Sequence, residues 1–288
     1  MTITRAMTTT RLKAAPTLLA IDLNRQYLMT PHGIQKLIVL AFSVLSAVSF
    51  SLFAEPKPIL KYNLNGSSTW VPYYIKNGGD KPGILREFIP RMLDKAGIEG
   101  QVLEFPPRRT NQALQRRQLD FDIVSPSWFE NDQISDDFVA SIPFLPIKEY
   151  VVTLAGKSSA WAQTHQLHGK RIGTVMGYIY PNTHTFTRVD FGSERELVRA
   201  LDKKRVDAAI IGDLPALYWA KQFDISIALA SIHSDGELVI RLHKSQQALL
   251  PQINQSLQYF IESGEIDAIV AQYADYHPAQ SPHETIKP

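Results

Sequence analysis

Two stretches of this chain repeat one pattern. ALQRRQLDFDIV, Ala113 to Val124, aligns without gaps on ALDKKRVDAAII, Ala200 to Ile211. Each runs Ala-Leu, two basic residues, Leu or Val, Asp, and closes on two β-branched residues, so that Asp120 stands opposite Asp207. A helix end joined to a buried strand, used twice, predicts two similar α/β lobes. Length agrees, because 288 residues exceed what one hydrophobic core usually organises and suit two.

The surroundings of each copy extend the reading. Ile59 to Asn63 (ILKYN) is a strand candidate, ended by turn residues Asn65-Gly66-Ser67-Ser68. Leu85, Phe88, Ile89, Met92 and Leu93 recur at helical spacing, with Gly97 or Gly100 as the stop. Val102 to Phe105 reads as a strand, Thr110 to Arg117 as a helix and Leu119 to Val124 as a strand. That order, β-α-β-α-β, implies a parallel sheet with helices on its faces. Around the second copy, Tyr150 to Leu154 and Arg171 to Val175 are strands, and Ser193 with Glu196 forms a capping box ahead of Leu197, Val198 and Leu201. Ala208 to Ile211 is the next strand. Pro251 opens a C-terminal helix, Gly264 separates it from a second, and the residues from His277 on have no periodicity.

Lys36 is followed by an uncharged apolar run, Leu37 to Ala54, which reads as the h-region of a secretory signal peptide, with Met29 the more natural start. Residues 1–54 are therefore expected to be a leader, cleaved after Ala54; an uncleaved anchor is the alternative, since about 18 apolar residues can just span a bilayer. Beyond the leader the chain carries 25 basic and 27 acidic residues, which argues against a nucleic-acid partner. The absence of cysteine excludes thiol catalysis, Cys-ligated metals, disulfides and a lipidated N-terminal Cys. Export without a lipid anchor leads to a soluble periplasmic protein as the expectation.

No P-loop, GxGxxG, HExxH or GxSxG motif occurs. His165 and His168 sit three apart next to Gly169 and read as a surface connection, so no metal or other cofactor is expected. The acid pairs Asp136/Asp137 and Glu194/Glu196 read as helix-start and solvent-face residues. The strand ends are more informative, because parallel α/β sheets bind ligands outside the carboxyl ends of their strands. Trp70 and Tyr73 follow the first strand; Ser125, Ser127 and Trp128 the third; Gly177, Tyr178 and Tyr180 follow RIGTV; Gly212 and Asp213 follow AAII. Taken together these residues predict a cleft.

At these residues the chain, over about residues 59–274, resembles the family 3 extracellular solute-binding proteins of ABC importers, the polar amino-acid-binding type with the type II periplasmic-binding fold. The likeness rests on TWVPYYIKNGGDKPGILREFIPRML, LQRRQLDFDIVSPSW, ASIPFLPIKEY, HGKRIGTVMGY, RVDAAIIGDLPALYWAK and LLPQINQSLQYFIESGEIDAIVAQY, in that order and spacing. It implies an α/β fold of two lobes, each a mainly parallel sheet flanked by helices, joined by a two-strand hinge near Pro146 to Tyr150 and Ile232 to Glu237. Lobe one would hold residues 55–148 and 235–288, and lobe two residues 149–234.

The resemblance further implies a monomer, not an enzyme, that delivers a small polar solute to an inner-membrane ABC permease. A cyclohexadienyl dehydratase-like enzyme and an extracytoplasmic sensor are the alternatives in the same fold. Trp70 would stack on the ligand and Ser127 would donate to it. The family's carboxylate-binding Arg, twelve residues past the signature Asp, falls here on Asp132, a reversal of charge; its amine-binding Asp falls on Gly212, with Asp213 one place later. Arg109, beside Arg108, is the nearest substitute anion clamp. Either the ligand is cationic or neutral at that end, or its carboxylate moves toward Arg109.

Overall fold

The computed structural model describes residues 56–64 and 70–273; the expected leader, the turn at 65–68 and the C-terminal tail lie outside them. The described residues from Lys57 on belong to one compact unit. Its elements run β1 (Ile59–Asn63), α1 (Ile84–Lys95), β2 (Glu99–Val102), α2 (Pro107–Gln115), β3 (Phe121–Val124), β4 (Phe138–Ala140), β5 (Leu145–Leu154), β6 (Arg171–Val175), β7 (Thr187–Phe191), α3 (Glu194–Asp202), β8 (Ala208–Gly212), α4 (Asp213–Phe223), β9 (Ile227–His243), α5 (Leu250–Glu262) and α6 (Glu265–Gln272).

Strands follow the order β2-β1-β3-β9-β5-β8-β6-β7, with β4 also on β9. β1 pairs in parallel with β2 and β3, and β6 in parallel with β7 and β8. Each parallel trio is closed by one antiparallel hinge strand: β9 on β3, and β5 on β8. The hinge strands pair with each other from Leu145↔Leu238 to Leu154↔Ile227, passing Ile147↔Gly236 and Glu149↔Ser234. The fold is two-lobed α/β.

The two sequence copies occupy equivalent positions, one on each side of that hinge pair. Both helices end in the same way: Arg117 and Lys204 adopt left-handed φ of 56° and 53°. Their N–H groups reach Leu114 and Leu201, and the next N–H groups, of Gln118 and Arg205, reach back to Ala113 and Ala200. These paired closures satisfy carbonyls that a helix end would otherwise leave open. The basic side chains stay in solvent while Leu119 and Val206 turn inward.

Packing follows the apolar stripes. Leu85, Phe88, Ile89 and Met92 of α1 bury against Leu60 of β1, Ile240 of β9 and Leu257 of α5. In the other half Leu197, Val198 and Leu201 of α3 pack on Ala209 and Ile211 of β8. Several features differ from expectation. The second strand is Glu99–Val102 rather than Val102–Phe105, because Gly100 is a strand residue: a Cβ there would lie 2.6 Å from Leu93 Cδ1 and 3.1 Å from Tyr62. Ser193 accepts from Glu196 N at 3.2 Å, but Glu196 returns its carboxylate to Gly192 N, one residue earlier than a capping box requires. β4, β7 and α4 are additional.

Candidate functional site

A cleft of about 660 Å³, part of it open to solvent, draws on both halves and on the hinge. The first half contributes Trp70, Asp122, Trp128 and the start of α2, with Pro107, Thr110 and Asn111. The second contributes Val175, Gly177 to Tyr180, Glu194 and Ile210 to Gly212, while Ile147 and Glu149 come from β5. Trp128, Gly177 to Tyr180 and Gly212 fall at or just beyond strand ends for the reason the topology gives: parallel strands that enter from one side all finish on the other.

One wall is aromatic. Trp70 packs on Tyr73 with centroids 4.6 Å apart and meets Trp128 edge-on at 6.4 Å. Across from it Tyr178 and Tyr180 lie 6.4 Å apart. The Tyr180 hydroxyl accepts from Val175 N at 3.0 Å, and burial raises it well above the ordinary phenol range.

Three carboxylates reach the cleft. Asp122 is gripped by Arg241 of β9 through two short contacts, Nε to Oδ1 at 2.8 Å and Nη2 to Oδ2 at 2.7 Å, and Arg241 Nη2 also donates to Asn111 Oδ1 at 2.8 Å. Both partners are buried, at 4% and 0% side-chain exposure, so this is a desolvated bidentate pair. Glu149 is 7% exposed and accepts from the Ser234 hydroxyl at 2.8 Å. Burial pushes its carboxyl up to about 8; the Ser234 bond opposes that rise and the Glu194 charge adds to it. Glu194 is 2% exposed and accepts a short hydrogen bond from the Tyr178 hydroxyl.

Among the described residues that line the cleft, two polar groups, Thr110 Oγ1 and Trp128 Nε1, are buried without a hydrogen bond. Such groups cost free energy unless something satisfies them.

The halves touch at the mouth. Asn182 N donates to Glu130 Oε1 at 2.6 Å, and Gly177, at φ +85°, approaches so closely that a Cβ would lie 2.4 Å from Arg108 N.

Of the residues singled out in the sequence, Trp70, Trp128, Gly177 and Tyr178 line the cleft. Tyr73 is buried beneath Trp70. Ser125 and Ser127 bond to each other at 2.9 Å and lie against Gly236, where a Cβ would be 2.7 and 2.6 Å from their hydroxyls, so they brace the hinge outside the lining. Asp213 opens α4 and accepts from its neighbour Leu214 N at 2.7 Å, also outside the lining. Arg109 and Asp132 are exposed, on the outer face of α2 and in a left-handed turn at φ 56°, and neither reaches the cleft. The twelve-residue count lands on a surface loop. Glu194 is corrected, since it is a buried lining residue and not a solvent-face acid.

Glu149 and Glu194 were missed. Their signal was faint: one acid inside the apolar run Ile147 to Val152, and one between a serine cap and a helix stripe. Among the described residues no group of three metal-ligating side chains occurs, and no helix is long and apolar enough to cross a membrane.

Comparison with solved structures supplies the architecture's counterpart. An ancestral arginine-binding protein bound to arginine superposes with a TM-score of 0.62 at 20% identity, over 75% of this chain and 98% of that one. A mutant ArgBP from T. maritima gives 0.61 at 16%, over 75% and 95%. The GluR0 ligand-binding core from Nostoc punctiforme, in complex with L-glutamate, gives 0.59 at 18%, over 76% and 100%. The fold is that of the two-lobed periplasmic binding proteins. No family model matches the chain, and no curated protein matches it.

Proposed function

We propose that this chain is an exported solute-binding protein that holds a small polar solute between its halves and presents it to an ABC permease. The observation that carries this reading is the cleft itself, walled by both halves, bridged at its mouth by Asn182 and Glu130, and holding buried polar groups without partners. A solute touching both walls favours the closed arrangement over the open one by its differential contacts alone. A micromolar site needs roughly 8 kcal/mol, within reach of an aromatic wall and a few charge-assisted hydrogen bonds. Trp70, Trp128, Gly177 and Tyr178 are the residues named from sequence that this reading keeps as ligand contacts. Residues 55–148 with 235–288, and 149–234, would be the moving bodies, the protein acting as a monomer in the periplasm after loss of residues 1–54.

The test is a melting-temperature screen of the purified protein against amino acids, amines and small organic acids, because a ligand that binds only the folded state raises the midpoint by mass action. A flat response across all three classes would remove the reading. One observation favours a second role: a carboxyl raised to about 8, as Glu149 is, suits a general acid in a dehydratase-like elimination. That chemistry on a dicarboxylate needs cationic clamps, and no Lys, Arg or His lines the cleft among the described residues. Assay for turnover of prephenate decides between them.

A further inference from the structure

We infer that Thr110 and Trp128 select the ligand, and that it offers them an uncharged oxygen, the carbonyl of an amide or a similar group, rather than a carboxylate. The inference rests on the solute-binding reading and specifies its ligand.

Thr110 is 2% exposed and lines the cleft from near the start of α2. A helical threonine can settle its hydroxyl on a carbonyl three or four residues back. Those carbonyls belong here to Pro107 and Pro106, and Thr110 Oγ1 bonds to neither, nor to any other group. Pro106 O accepts from Arg109 N instead, at 2.7 Å. The hydroxyl thus forgoes its local acceptor and stays buried against the cleft, at a cost that nothing in the fold offsets.

Trp128 reaches the cleft from a separate element, the turn that follows β3. Its ring meets Trp70 edge-on, yet Nε1, which can only donate, is buried without an acceptor. Asn111 adds a third donor. Arg241 has no acceptor to offer, so Asn111 meets it with Oδ1 at 2.8 Å, which leaves the amide NH2 clear of that contact in a residue that lines the cleft. Ser231 Oγ and His233 Nε2, also buried without partners, lie outside the lining.

Trp128 fixes the sign of the match. The ligand atom that satisfies Nε1 must accept, and the Thr110 hydroxyl can rotate to donate as well. These donors are neutral, which makes a carboxylate a poor occupant: it sheds strong hydration on entry and needs a charged donor in exchange. The guanidinium bonded to this wall, Arg241, is already bidentate on Asp122. Arg108 and Arg109 are exposed outside the lining. A neutral carbonyl oxygen loses less on leaving water, and neutral donors suffice for it.

Titration calorimetry of the purified protein tests this with two series of amines: argininamide, arginine and agmatine, and phenylalaninamide, phenylalanine and phenethylamine. Each series runs from a neutral carbonyl to a carboxylate to no oxygen at all. The expected result is tightest binding by the amide in at least one series, by about tenfold over the carboxylate. Thr110→Val and Trp128→Phe should each weaken that amide by about tenfold, with the oxygen-free amine changed less than about twofold. The unliganded melting point supplies a reading that a structural role would not allow: Thr110→Val should not lower it, because the hydroxyl bonds to nothing in the fold. An amide that keeps its affinity in both variants overturns the inference, as does a carboxylate that binds as tightly as its amide. A drop of more than about 2 °C in the unliganded melting point of Thr110→Val overturns it too. If none of the six amines binds, the inference falls, and the melting-temperature screen against other solutes decides the solute-binding reading separately.

Discussion

Glu149 offers the sharpest stability test. Its carboxyl titrates at about 8 in the folded chain against an ordinary 4.5, chiefly because burial penalises the charged form. Between those values the folded state holds a proton that the unfolded state has released. The favourable contribution is therefore complete below about pH 4.5 and is lost as pH rises through about 8. At 1.36 kcal/mol per unit, the difference across the window is about 5 kcal/mol. Glutamine has nearly the same shape, stays neutral throughout and can still accept from Ser234. Glu149→Gln should thus match the wild type near pH 4.5 and exceed it in stability by several kcal/mol at pH 8, a melting-point gain on the order of 10 °C for a chain of this size. Urea unfolding of both proteins at pH 5, 6.5 and 8 measures the gap. His233 acts in the opposite sense, since burial lowers its pKa from 6.5 to about 4 and costs stability as pH falls through that range. It is common to both proteins and cancels in the difference. Parallel stability profiles, with no widening gap toward pH 8, would refute the claim that a buried neutral carboxyl sits on the hinge.

Gly177→Ala should hinder closure, because its φ of +85° disfavours a side chain and the new Cβ would meet Arg108 N at 2.4 Å; the expected result is an affinity loss of about tenfold or more, with small-angle scattering showing a more open ensemble in the presence of ligand. Arg241→Met leaves the buried Asp122 without its bidentate guanidinium and should cost about 3–5 kcal/mol in denaturant unfolding, far more than a surface ion pair such as Lys57–Asp94 would. Glu130→Ala removes the acceptor for Asn182 N at the mouth and should raise the ligand dissociation rate several-fold in stopped-flow measurements while leaving the melting point of the unliganded protein within about 1 °C.

The sequence carried the fold further than it carried the site. Helix stripes and the repeated helix-to-strand joint depend on local spacing, and they led to α1, α2, α3, β3 and β8 within a few residues. The match extends to paired left-handed residues, Arg117 and Lys204, in the two copies. Strands such as β7 and the short β4 are recognisable only from the neighbours that pair with them. The site is harder still, because its charged members belong to patterns that mean something else locally. Glu149 lies in a strand run, Glu194 looks like a helix-start acid, and the Asp122–Arg241 pair spans 119 residues of chain. Counting from a signature residue led to an exposed turn for a related reason. A count assumes equal loop lengths, and the loop after Trp128 instead folds into short turns through Asn131 and Asp132, both left-handed, that carry the counted position into solvent.

The Asp122–Arg241 pair bears on why this cleft has its charge. A buried guanidinium beside a ligand cavity is the group best suited to hold a carboxylate. Here that capacity is consumed internally, at 2.7 and 2.8 Å, by an aspartate on the adjacent strand β3. Ridding the pair of Asp122 would therefore change more than stability. Asp122→Asn leaves Arg241 charged, still bonded to Asn111, and able to reach a new anion from beneath the lining. Loss of the bidentate contact should lower stability by a few kcal/mol. With the Arg241 fork partly freed, the same substitution should admit a carboxylate ligand, raising the affinity for arginine relative to agmatine by about tenfold. An unchanged agmatine-to-arginine ratio in a folded Asp122→Asn protein would refute the idea that the Arg241 fork can reach a ligand.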